Sequence, residues 1–339
     1  MTDTEVLVVG GGPIGLACAI ECRLAGRDVV VVEPRRTPVD KACGEGLMPG
    51  ALRMVQRLGV DPAGHRLTGI SYRSGHRHAD HAFRDGPGRG VRRTTLHAAL
   101  RARADELGVV SVAGRVTEVT ELADGVRAAG VSARWLLACD GLHSPVRRLV
   151  GLDEPRGRAA GRRFGFRRHF EVGTWTDRVE VHWSPTAEAY VTPVADDLVG
   201  VALLGPASTD IDTSLGDLPE LARRLTGADA GPVRGAGPLR QTTRARTAGR
   251  VRLVGDASGY VDALTGEGLR VGLAQARAAV ALLEDPAGYE RAWTSVTRDY
   301  RLLTSGLVAW ANSPARPAIV PVAHRLPWLY GAVVERLAR

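Results

Sequence analysis

The stretch VLVVGGGPIGLACAIECRLAG, residues 6–26, is followed closely by DVVVVE at residues 28–33. The apolar run at residues 6–9 is typical of a buried strand, and the glycines after it lead into residues with the 3.6-residue periodicity of a helix. Gly26 ends that helix, and residues 28–32 form a second run of strand type that closes with Glu33. This pattern predicts a strand, a helix and a parallel strand, the unit from which doubly wound α/β proteins are built.

Gly10, Gly12 and Gly15 occupy the predicted turn between strand and helix, with the G-x-G-x-x-G spacing of a dinucleotide-binding fingerprint. The first permits the tight turn, the second lets the backbone approach a pyrophosphate, and the third lets helix and strand pack closely. The pyrophosphate would lie at the helix N-terminus, which favours an anion, and Glu33 is placed to accept hydrogen bonds from a ribose. The predicted dinucleotide contacts here are Gly10, Gly12, Pro13, Ile14, Gly15, Glu33, Pro34 and Arg35.

Length and composition are those of an ordinary folded protein. The chain has 339 residues, of which 44% are hydrophobic and 24% charged, and its mean hydropathy is −0.07. These values exclude disordered and collagen-like chains and favour one large α/β unit or two interleaved ones. No apolar run approaches ~18 residues, so no membrane-spanning helix is expected. The four cysteines lack close paired spacing and no signal peptide is recognised, which together predict a cytoplasmic protein.

The formal net charge of +8 reflects a chain-wide preference for arginine. Lys41 is the only lysine among 45 lysine and arginine residues, and the arginines are spread through nearly every segment. Proteins that bind nucleic acid cluster basic residues on one element and interleave them with aromatic residues, which make up only 5% of this chain. Nucleic acid is therefore not expected as a partner, and an anionic cofactor or substrate is the better use of local arginines.

The middle of the chain changes to a strand pattern. Hydrophobic residues spaced by twos between residues 163 and 204 predict an antiparallel sheet in a second layer. Residues 251–254 predict a last short buried strand, followed by a glycine-rich turn and a helix, and residues 286–339 are predicted to be helical. His76, His78 and His81 lie in a polar stretch without further ligands at suitable spacing, so no metal site is expected.

Two later motifs follow predicted strands: CDGLHSPVRR at residues 139–148 and VGDASG at residues 254–259. Together with the opening fingerprint, their order resembles that of flavoproteins with the p-hydroxybenzoate hydroxylase fold, a superfamily of aromatic hydroxylases, flavin halogenases and geranylgeranyl reductases. The resemblance covers the first 160 residues and about residues 245–285. It implies FAD as the cofactor, although the second motif taken alone is also explained by a turn that ends a strand.

The resemblance assigns roles to individual residues. Asp140 and Gly141 match the family's Asp-Gly motif, which touches the flavin and nicotinamide regions. Asp256 matches the aspartate that binds ribityl or ribose hydroxyls, and Arg93 matches an arginine near the FAD phosphates. Residues 265–269 would direct a helix N-terminus at the flavin, where its dipole stabilises the negative charge of the reduced ring. The further FAD contacts implied are Lys41, Cys43, Gly44, Val116, Cys139, Ser144, Arg147, Gly255, Gly266, Glu267, Gly268 and Leu269.

The implied fold class is α/β, with a Rossmann-type FAD-binding domain, an interleaved antiparallel-sheet substrate domain and C-terminal helices. The FAD-binding domain is expected to comprise residues 1–75, 91–157 and 245–285, and the substrate domain residues 76–90 and 158–244. The helical segment is expected at residues 286–339, where it caps the substrate pocket, lies on a membrane surface or forms a dimer contact. The sequence leaves these three roles open, and with them the choice between monomer and homodimer.

The substrate pocket is expected between the flavin and the sheet of residues 163–204. Alternation along strands means that about half of the candidate wall residues pack against the core instead. The predicted walls are Phe164, Phe166, Trp183, Tyr190 and Pro193.

The segment KACGEGL, residues 41–47, is similar to the K-x-C-G-x-G-L loop of geranylgeranyl-reductase-like flavoproteins. Because solvated cations elsewhere in the chain are arginine, the single lysine indicates a need for a compact ammonium group, unless its position is chance. Cys43 lies either near the flavin ring or in the interior as an inert thiol, the commoner fate of cysteine. The candidate catalytic residues are Lys41, Cys43 and Glu45.

The sequence indicates the fold more firmly than the reaction. The leading hypothesis is a monooxygenase whose FAD, reduced by NAD(P)H or another donor, activates oxygen to hydroxylate an apolar metabolite such as a polyketide or isoprenoid. The alternative is hydride delivery to a carbon–carbon double bond, as in geranylgeranyl reductases, and a third hypothesis is a flavin- or dinucleotide-binding protein without turnover. Halogenation is not expected, because the W-x-W-x-x-P element and the later reactive lysine of halogenases are absent from the sequence.

Overall fold

The computed structural model describes residues 3–154 and 162–339. The expected domain boundary between residues 157 and 158 lies outside the described residues. The strands are β1 (Thr4–Val9), β2 (Val29–Glu33), β3 (Gly46–Leu47), β4 (His65–Leu67), β5 (Gly69–Ser74), β6 (Arg77–Ala82), β7 (Gly88–Gly90), β8 (Val110–Ala113), β9 (Val119–Leu122), β10 (Gly125–Ala128), β11 (Val131–Ala138), β12 (Phe164–Glu171), β13 (Arg178–Trp183), β14 (Glu188–Ala195), β15 (Leu198–Gly205), β16 (Asp229–Ala230), β17 (Arg234–Ala236), β18 (Thr247–Ala248) and β19 (Val251–Leu253).

The α-helices alternate with these strands and then fill the C-terminal part of the chain. They are α1 (Pro13–Leu24), α2 (Pro49–Arg57), α3 (Arg93–Glu106), α4 (Pro145–Leu149), α5 (Ile211–Gly216), α6 (Pro219–Leu225), α7 (Gly268–Ala281), α8 (Pro286–Ala311), α9 (Ile319–Arg325) and α10 (Pro327–Ala338). Short 3-10 helices lie at Gly255–Ser258 and Arg316–Ala318.

The first sheet contains the opening unit of the sequence. Its strand order is β18-β19-β11-β1-β2-β8, and the strands from β19 to β8 run parallel. Strands β1 and β2 are almost wholly buried because α1, α3 and α7 cover one face of the sheet and a second apolar cluster covers the other. This layering confirms the predicted Rossmann-type unit and brings the carboxyl ends of β1, β11 and β19 to one edge.

The second sheet has the order β16-β12-β15-β14-β13-β5-β6, with β17 also paired to β12. Strands β12, β15, β14 and β13 are antiparallel, as the alternation predicts, whereas β5 runs parallel to β13. The boundary expected after residue 75 therefore differs from the observed pairing, since β5 already belongs to the second sheet. Pairing between strands so distant in sequence leaves no local pattern from which the boundary could be read.

A small sheet of β3, β7 and β4 joins the two larger sheets. Gly90 of β7 lies so close to β14 that a Cβ atom there would fall 1.8 Å from the carbonyl oxygen of Pro193. Beside it, the backbone N–H of Val91 donates a hydrogen bond of 2.8 Å to the carbonyl oxygen of Glu45. These contacts hold the loop before β3, residues 40–45, between the two large sheets.

Helices α9 and α10 pack against β5 and β6 of the second sheet, while α8 packs along α7 and only its C-terminal end joins the apolar cluster of the second sheet. The ring of Tyr330 on α10 lies 5.0 Å from the ring of Tyr72 on β5, centroid to centroid. Oε1 of Glu335 lies 2.8 Å from Nε2 of His81 on β6. The predicted helical segment is thus part of the folded core. Among residues 3–154 and 162–339, no helix combines the length and apolarity needed to span a membrane.

Candidate active site

A cavity of about 710 Å³ lies between the two large sheets. One end is lined by the turns after β1, β11 and β19, at residues 12–14, 139–142 and 254–256, and by the loop of residues 41–46. The other end is lined almost wholly by apolar side chains of the second sheet and the C-terminal helices. Ligands of open α/β sheets bind outside the carboxyl ends of the strands, so this cavity is the candidate site.

Glycine is required at two positions of the turn after β1. Gly10 has a φ of 103°, and a Cβ atom there would fall 2.5 Å from the carbonyl oxygen of Cys139. A Cβ atom at Gly15 would fall 1.7 Å from the carbonyl oxygen of Gly10, so α1 could not pack against the end of β1. At Gly12 the nearest atom to such a Cβ is Nη2 of Arg93, at 3.8 Å. Gly10 and Gly15 are therefore required by the fold, and Gly12 leaves room for a ligand.

The carboxylate of Glu33, at the end of β2, ties this turn to the sheet. It accepts hydrogen bonds from the backbone N–H of Gly11 at 2.8 Å and from the backbone and Nε of Arg35 at 3.0 and 2.7 Å. Burial acts to raise the pKa of Glu33, but the hydrogen bonds from Arg35 outweigh it and lower the pKa below its usual value. Glu33 is therefore ionised at neutral pH, and Arg35 rather than Glu33 lines the cavity.

Three motifs that are distant in sequence meet around Lys41, the single lysine of the chain. Nζ of Lys41 lies 3.7 Å from Oδ2 of Asp256, and the two side chains are 31% and 32% exposed. Nζ also lies beside the Asp-Gly turn, since a Cβ atom at Gly141 would be 3.8 Å from it. Gly141 has a φ of 82°, which favours glycine at this point of the turn.

Two buried carboxyl oxygens on the cavity wall, Oδ1 of Asp140 and Oε1 of Glu267, have no hydrogen-bond partner among the described residues. Burial raises the pKa of Asp140, and it raises the pKa of Glu267 to about 7 despite the neighbouring Arg270. Because unpaired buried polar atoms are costly, both oxygens indicate a ligand with polar groups. FAD fits this site, since its hydroxyl and N–H groups supply donors and the N-terminus of α1 suits its phosphates.

Most of the predicted cofactor-binding residues line this cavity. They are Gly12, Pro13, Ile14, Arg35, Lys41, Cys43, Gly44, Arg93, Cys139, Asp140, Gly141, Gly255, Asp256, Gly266, Glu267, Gly268 and Leu269. The other predicted residues lie outside the lining, namely Gly10, Gly15, Glu33, Pro34, Val116, Ser144 and Arg147.

Ser144 and Arg147 lie behind the cavity wall and support it. Oγ of Ser144 accepts a hydrogen bond of 2.9 Å from the backbone N–H of Arg147 and caps α4. The fully buried guanidinium of Arg147 donates to Asp153 at 2.7 Å and to the carbonyl oxygen of Ala257 at 3.1 Å. Val116 is buried in the apolar cluster under the first sheet. These three residues were predicted to contact the cofactor. Instead, Ser144 and Arg147 make hydrogen bonds within the protein, and Val116 packs in its core.

Glu45 joins the loop before β3 to two other elements. It is buried and has a φ of 60°. One carboxylate oxygen lies 2.6 Å from Nε2 of His169 on β12, and the other accepts a hydrogen bond of 2.9 Å from the backbone N–H of Arg93. The guanidinium of Arg167 lies 2.8 Å from Nδ1 of His169 and also contacts Asp40. Glu45, predicted as a catalytic candidate, thus positions the loop that carries the other two candidates.

Of the predicted substrate walls, Phe166 and Tyr190 line the cavity. The hydroxyl of Tyr190 donates a hydrogen bond of 2.5 Å to the carbonyl oxygen of Leu264, in the loop before α7. Tyr190 therefore contributes an apolar ring to the wall, while its polar end is used to hold the neighbouring loop.

Trp183, Phe164 and Pro193 lie behind or beside this wall. The ring of Trp183 is covered by Tyr72, whose ring centroid lies 5.5 Å away and which itself lines the cavity. The ring of Phe164 lies against Gly237, where a Cβ atom would fall 2.4 Å from it. Pro193 follows a residue of β14 that faces the cavity, so alternation turns it away. These three residues do not line the cavity. A strand pattern does not show which face of a strand borders the cavity or which neighbouring side chains cover that face.

A role in capping the pocket was one of three expected for the C-terminal segment, but none of its residues was predicted as a substrate wall. The helices of this segment line the apolar end of the cavity. Their lining residues are Leu302, Leu303, Leu307, Trp310, Ile319, Val322, Ala323, Leu326, Leu329, Tyr330, Val333, Val334, Leu337 and Ala338.

A buried ionic network holds this wall to the sheet and to the loop before α7. Glu188 on β14 lies 2.5 Å from Nη2 of Arg163 and 2.6 Å from Nη1 of Arg316. Nε of Arg163 lies 3.0 Å from Oδ2 of Asp262, and all four side chains are nearly inaccessible. Single charged residues scattered along a chain give no sequence signal for such a network, because each could equally lie at the surface.

Comparison with known proteins assigns the family. Residues 3–287 match the family described as FAD binding domain. The menaquinone reductase of Mycobacterium tuberculosis (strain ATCC 25618 / H37Rv) is 29% identical over 333 residues, a match that covers 88% of this chain and 80% of that protein. The 3-(3-hydroxy-phenyl)propionate/3-hydroxycinnamic acid hydroxylase of Mycobacterium sp. (strain JLS) is 35% identical over 170 residues, or 44% of this chain and 30% of that protein.

A solved structure supports the same fold. The flavoprotein/dehydrogenase from Cytophaga hutchinsonii has a TM-score of 0.78 at 17% identity, with 99% of this chain and 98% of that chain covered. The chain therefore belongs to the FAD binding domain family of FAD-dependent oxidoreductases and has the p-hydroxybenzoate hydroxylase fold.

Proposed function

We propose that this protein uses reduced FAD to saturate a carbon–carbon double bond in a long, apolar substrate of isoprenoid type. The observation that carries the proposal is the apolar chamber that continues from the FAD site to the C-terminal helices. An isoprenoid chain has almost no polar group to recognise, so a site for it relies on apolar burial. The substrate-facing walls include Met48, Ile70, Val179, Val181, Leu204, Leu239 and Leu264, in addition to the C-terminal helices.

The match to menaquinone reductase supports this proposal. It covers 88% of the chain, a larger share than the FAD-binding segments alone, so it extends into residues that build the chamber. The hydroxylase match covers 44% of the chain. Hydroxylation of the same kind of substrate is the second candidate, favoured by that match and by a chamber whose apolar walls exclude water. A polyprenyl quinone is a substrate that would suit either reaction.

The residues that line the cavity would have different roles in binding and catalysis. FAD would be held by the N-terminus of α1, Asp140 and Asp256, and when bound and reduced it supplies hydride. Lys41 contributes positive charge beside Asp256, and the apolar walls exclude water from the substrate. Glu267, with a pKa of about 7, holds a proton near neutral pH and leaves Oε1 free at the cavity wall, because Arg270 contacts Oε2. We propose Glu267 as the proton donor to the second carbon.

The mass of the product and its dependence on oxygen test the proposal directly. Purified holoenzyme would be reduced by NADPH, NADH or dithionite without oxygen and mixed with a polyprenyl quinone. We expect a product that forms without oxygen and stays two hydrogens heavier after the quinone head is reoxidised in air, because a quinol loses its two hydrogens on reoxidation and a saturated carbon–carbon bond does not. NAD(P)H is the proposed natural donor. An oxygenated product that forms only in air and carries 18O from labelled oxygen would reject reduction in favour of hydroxylation. No product under either condition, with flavin reduction intact, would reject both for this substrate.

A pair of variants links turnover to the chamber. Ala202 on β15 lines the cavity, so Ala202→Phe places a ring inside it, and we expect turnover to fall at least about tenfold. Ala207→Phe changes an exposed residue after the same strand and serves as the control. Equal activities of the two variants would show that the substrate does not enter this chamber. The visible flavin spectrum of both variants would verify that FAD is bound.

A further inference from the structure

Large apolar side chains are exposed at one place on the C-terminal helices. Leu302 on α8 and Trp328 on α10 are each 71% exposed, and Leu329 and Leu326 are 41% and 38% exposed. These four residues are called the mouth rim below. Single exposed apolar residues are common on protein surfaces, but a group from three neighbouring segments is typical of an interaction surface.

The mouth rim is continuous with the apolar chamber. Leu302, Leu326 and Leu329 line the cavity as well as being exposed, so they stand where the chamber opens to the outside. Trp328 is next to Leu329 at the start of α10. A long apolar substrate can therefore pass from an apolar phase into the chamber without crossing water at the rim. Release into water would instead expose the substrate, at a cost that grows with its apolar area.

The exposed charges beside the rim are mostly positive. Residues 300–339 contain five arginines and one acidic residue, Glu335, although Arg316 is buried against Glu188 and Arg336 pairs with Asp299, three residues before Leu302. Glu335 is buried, where it lies 2.8 Å from Nε2 of His81 and accepts a hydrogen bond of 3.0 Å from the backbone N–H of Arg84. Arg301 and Arg325, next to Leu302 and Leu326 in sequence, are exposed. The mouth rim is therefore apolar, and the exposed charged residues next to it in sequence are arginines, with Asp299 as the nearest acidic residue.

We propose that the mouth rim inserts into the surface of an anionic lipid bilayer and takes the substrate from it. Leucine and tryptophan enter the interface of a bilayer, and arginines near that surface bind anionic lipid headgroups. A second copy of the chain fits less well, because a twofold contact through this rim would bring like-charged arginines of both copies together. The proposal rests on the proposed function for its lipid-like substrate, whereas its test does not require turnover.

Vesicle co-sedimentation of the FAD-loaded full chain, without substrate, tests this surface. One set of vesicles contains phosphatidylcholine and phosphatidylglycerol, and the other contains phosphatidylcholine alone. We expect binding to the mixed vesicles that weakens with added salt. The double variant Leu302→Ser/Trp328→Ser is expected to lower the vesicle partition coefficient at least about tenfold. Arg301→Gln/Arg325→Gln is expected to reduce the preference for the mixed vesicles while keeping weak binding to both.

Leu24→Ser is the matched control, because Leu24 is 48% exposed at the end of α1, outside the mouth rim. Absence of vesicle binding, or equal losses in Leu24→Ser and the rim variant, would overturn the proposal. So would a wild-type dimer in light scattering that the rim variant converts to monomer, since a second copy would then cover the rim. Circular dichroism and flavin absorbance would verify that each variant is folded. Turnover of detergent-dispersed substrate is measured separately, so failure of the proposed reaction is distinguishable from failure of membrane binding.

Discussion

The carboxylate of Glu45 lies 2.6 Å from Nε2 of His169, and this pair joins the loop of residues 40–45 to strand β12 of the second sheet. Both side chains are buried, and 124 positions separate them along the chain. The same carboxylate holds the backbone at the start of α3 through Arg93. One buried side chain thus ties the FAD-side loop to both of the layers that enclose the cavity.

Replacing Glu45 tests this positioning role. Glu45→Ala leaves Nε2 of His169 and the backbone N–H of Arg93 without their partner, and an unsatisfied buried polar group costs about 1–3 kcal/mol. Alanine keeps the strain of the positive φ, so the change in the free energy of unfolding reports the side chain. We expect a lower midpoint in denaturant and weaker FAD binding. Glu171→Ala, at the exposed end of the same strand, is the control, and an equal effect of both changes would refute the role.

Replacing Lys41 tests how the charge and the shape of its side chain contribute to FAD binding. Lys41→Met removes the ammonium 3.7 Å from Asp256, and at one-third exposure we expect the FAD dissociation constant to rise by roughly fivefold, about 1 kcal/mol. Lys41→Arg keeps the charge but replaces a compact group with a planar, larger one, so we expect only partial recovery. Flavin fluorescence during titration measures both. Arg36→Met removes an exposed cation five positions earlier in the sequence. If it weakens FAD binding as much as Lys41→Met, the position of the lysine has no special role.

Gly15 gives the sharpest prediction for the fold of the FAD site. A Cβ atom there would fall 1.7 Å from the carbonyl oxygen of Gly10, and neither backbone segment can move without separating α1 from β1. We expect Gly15→Ala to lower stability by about 2 kcal/mol or more and to abolish visible flavin retention on purification. In Gly173→Ala the new methyl has open space, so FAD content and thermal midpoint should match the wild type. Normal flavin content in Gly15→Ala would contradict the role of this turn.

Glu267 makes stability depend on pH. Burial raises its pKa from 4.5 to about 7, so between these values the folded protein binds more protons than the unfolded chain. The contribution of Glu267 to the free energy of unfolding therefore decreases as pH rises through this window, by roughly 3 kcal/mol in all. Glu267→Gln lacks this decrease and should become more stable relative to the wild type above pH 7. Urea unfolding across the window measures the difference.

Glu118→Gln, which alters an exposed carboxylate just before β9, is the control for the loss of a carboxylate. Parallel curves for wild type and Glu267→Gln would mean that the carboxyl titrates normally. The same variant tests the proposed proton transfer, because glutamine cannot donate a proton and turnover should fall while flavin reduction persists.

The sequence by itself determined the FAD-binding half of the protein. Gly15 packs against Gly10 within one strand–turn–helix unit, so the spacing of the motif predicts this part of the geometry, whereas the close approach of Cys139 to Gly10 depends on a distant strand. The short apolar runs that form β1 and β2 are similarly local, since a parallel strand buried on both faces needs hydrophobic residues at every position. The motif residues Asp140 and Asp256 lie at strand ends, which the topology must bring to one edge.

Only the tertiary structure decided what surrounds the substrate. Trp183 and Tyr190 have the same strand pattern, but Tyr72 covers the first ring and the cavity adjoins the second. The Glu45–His169 pair and the wall of C-terminal helices join residues from opposite ends of the chain, and no spacing in the sequence records such contacts. Local periodicity sets which residues can be buried, whereas the packing of distant elements sets which buried residues face a ligand.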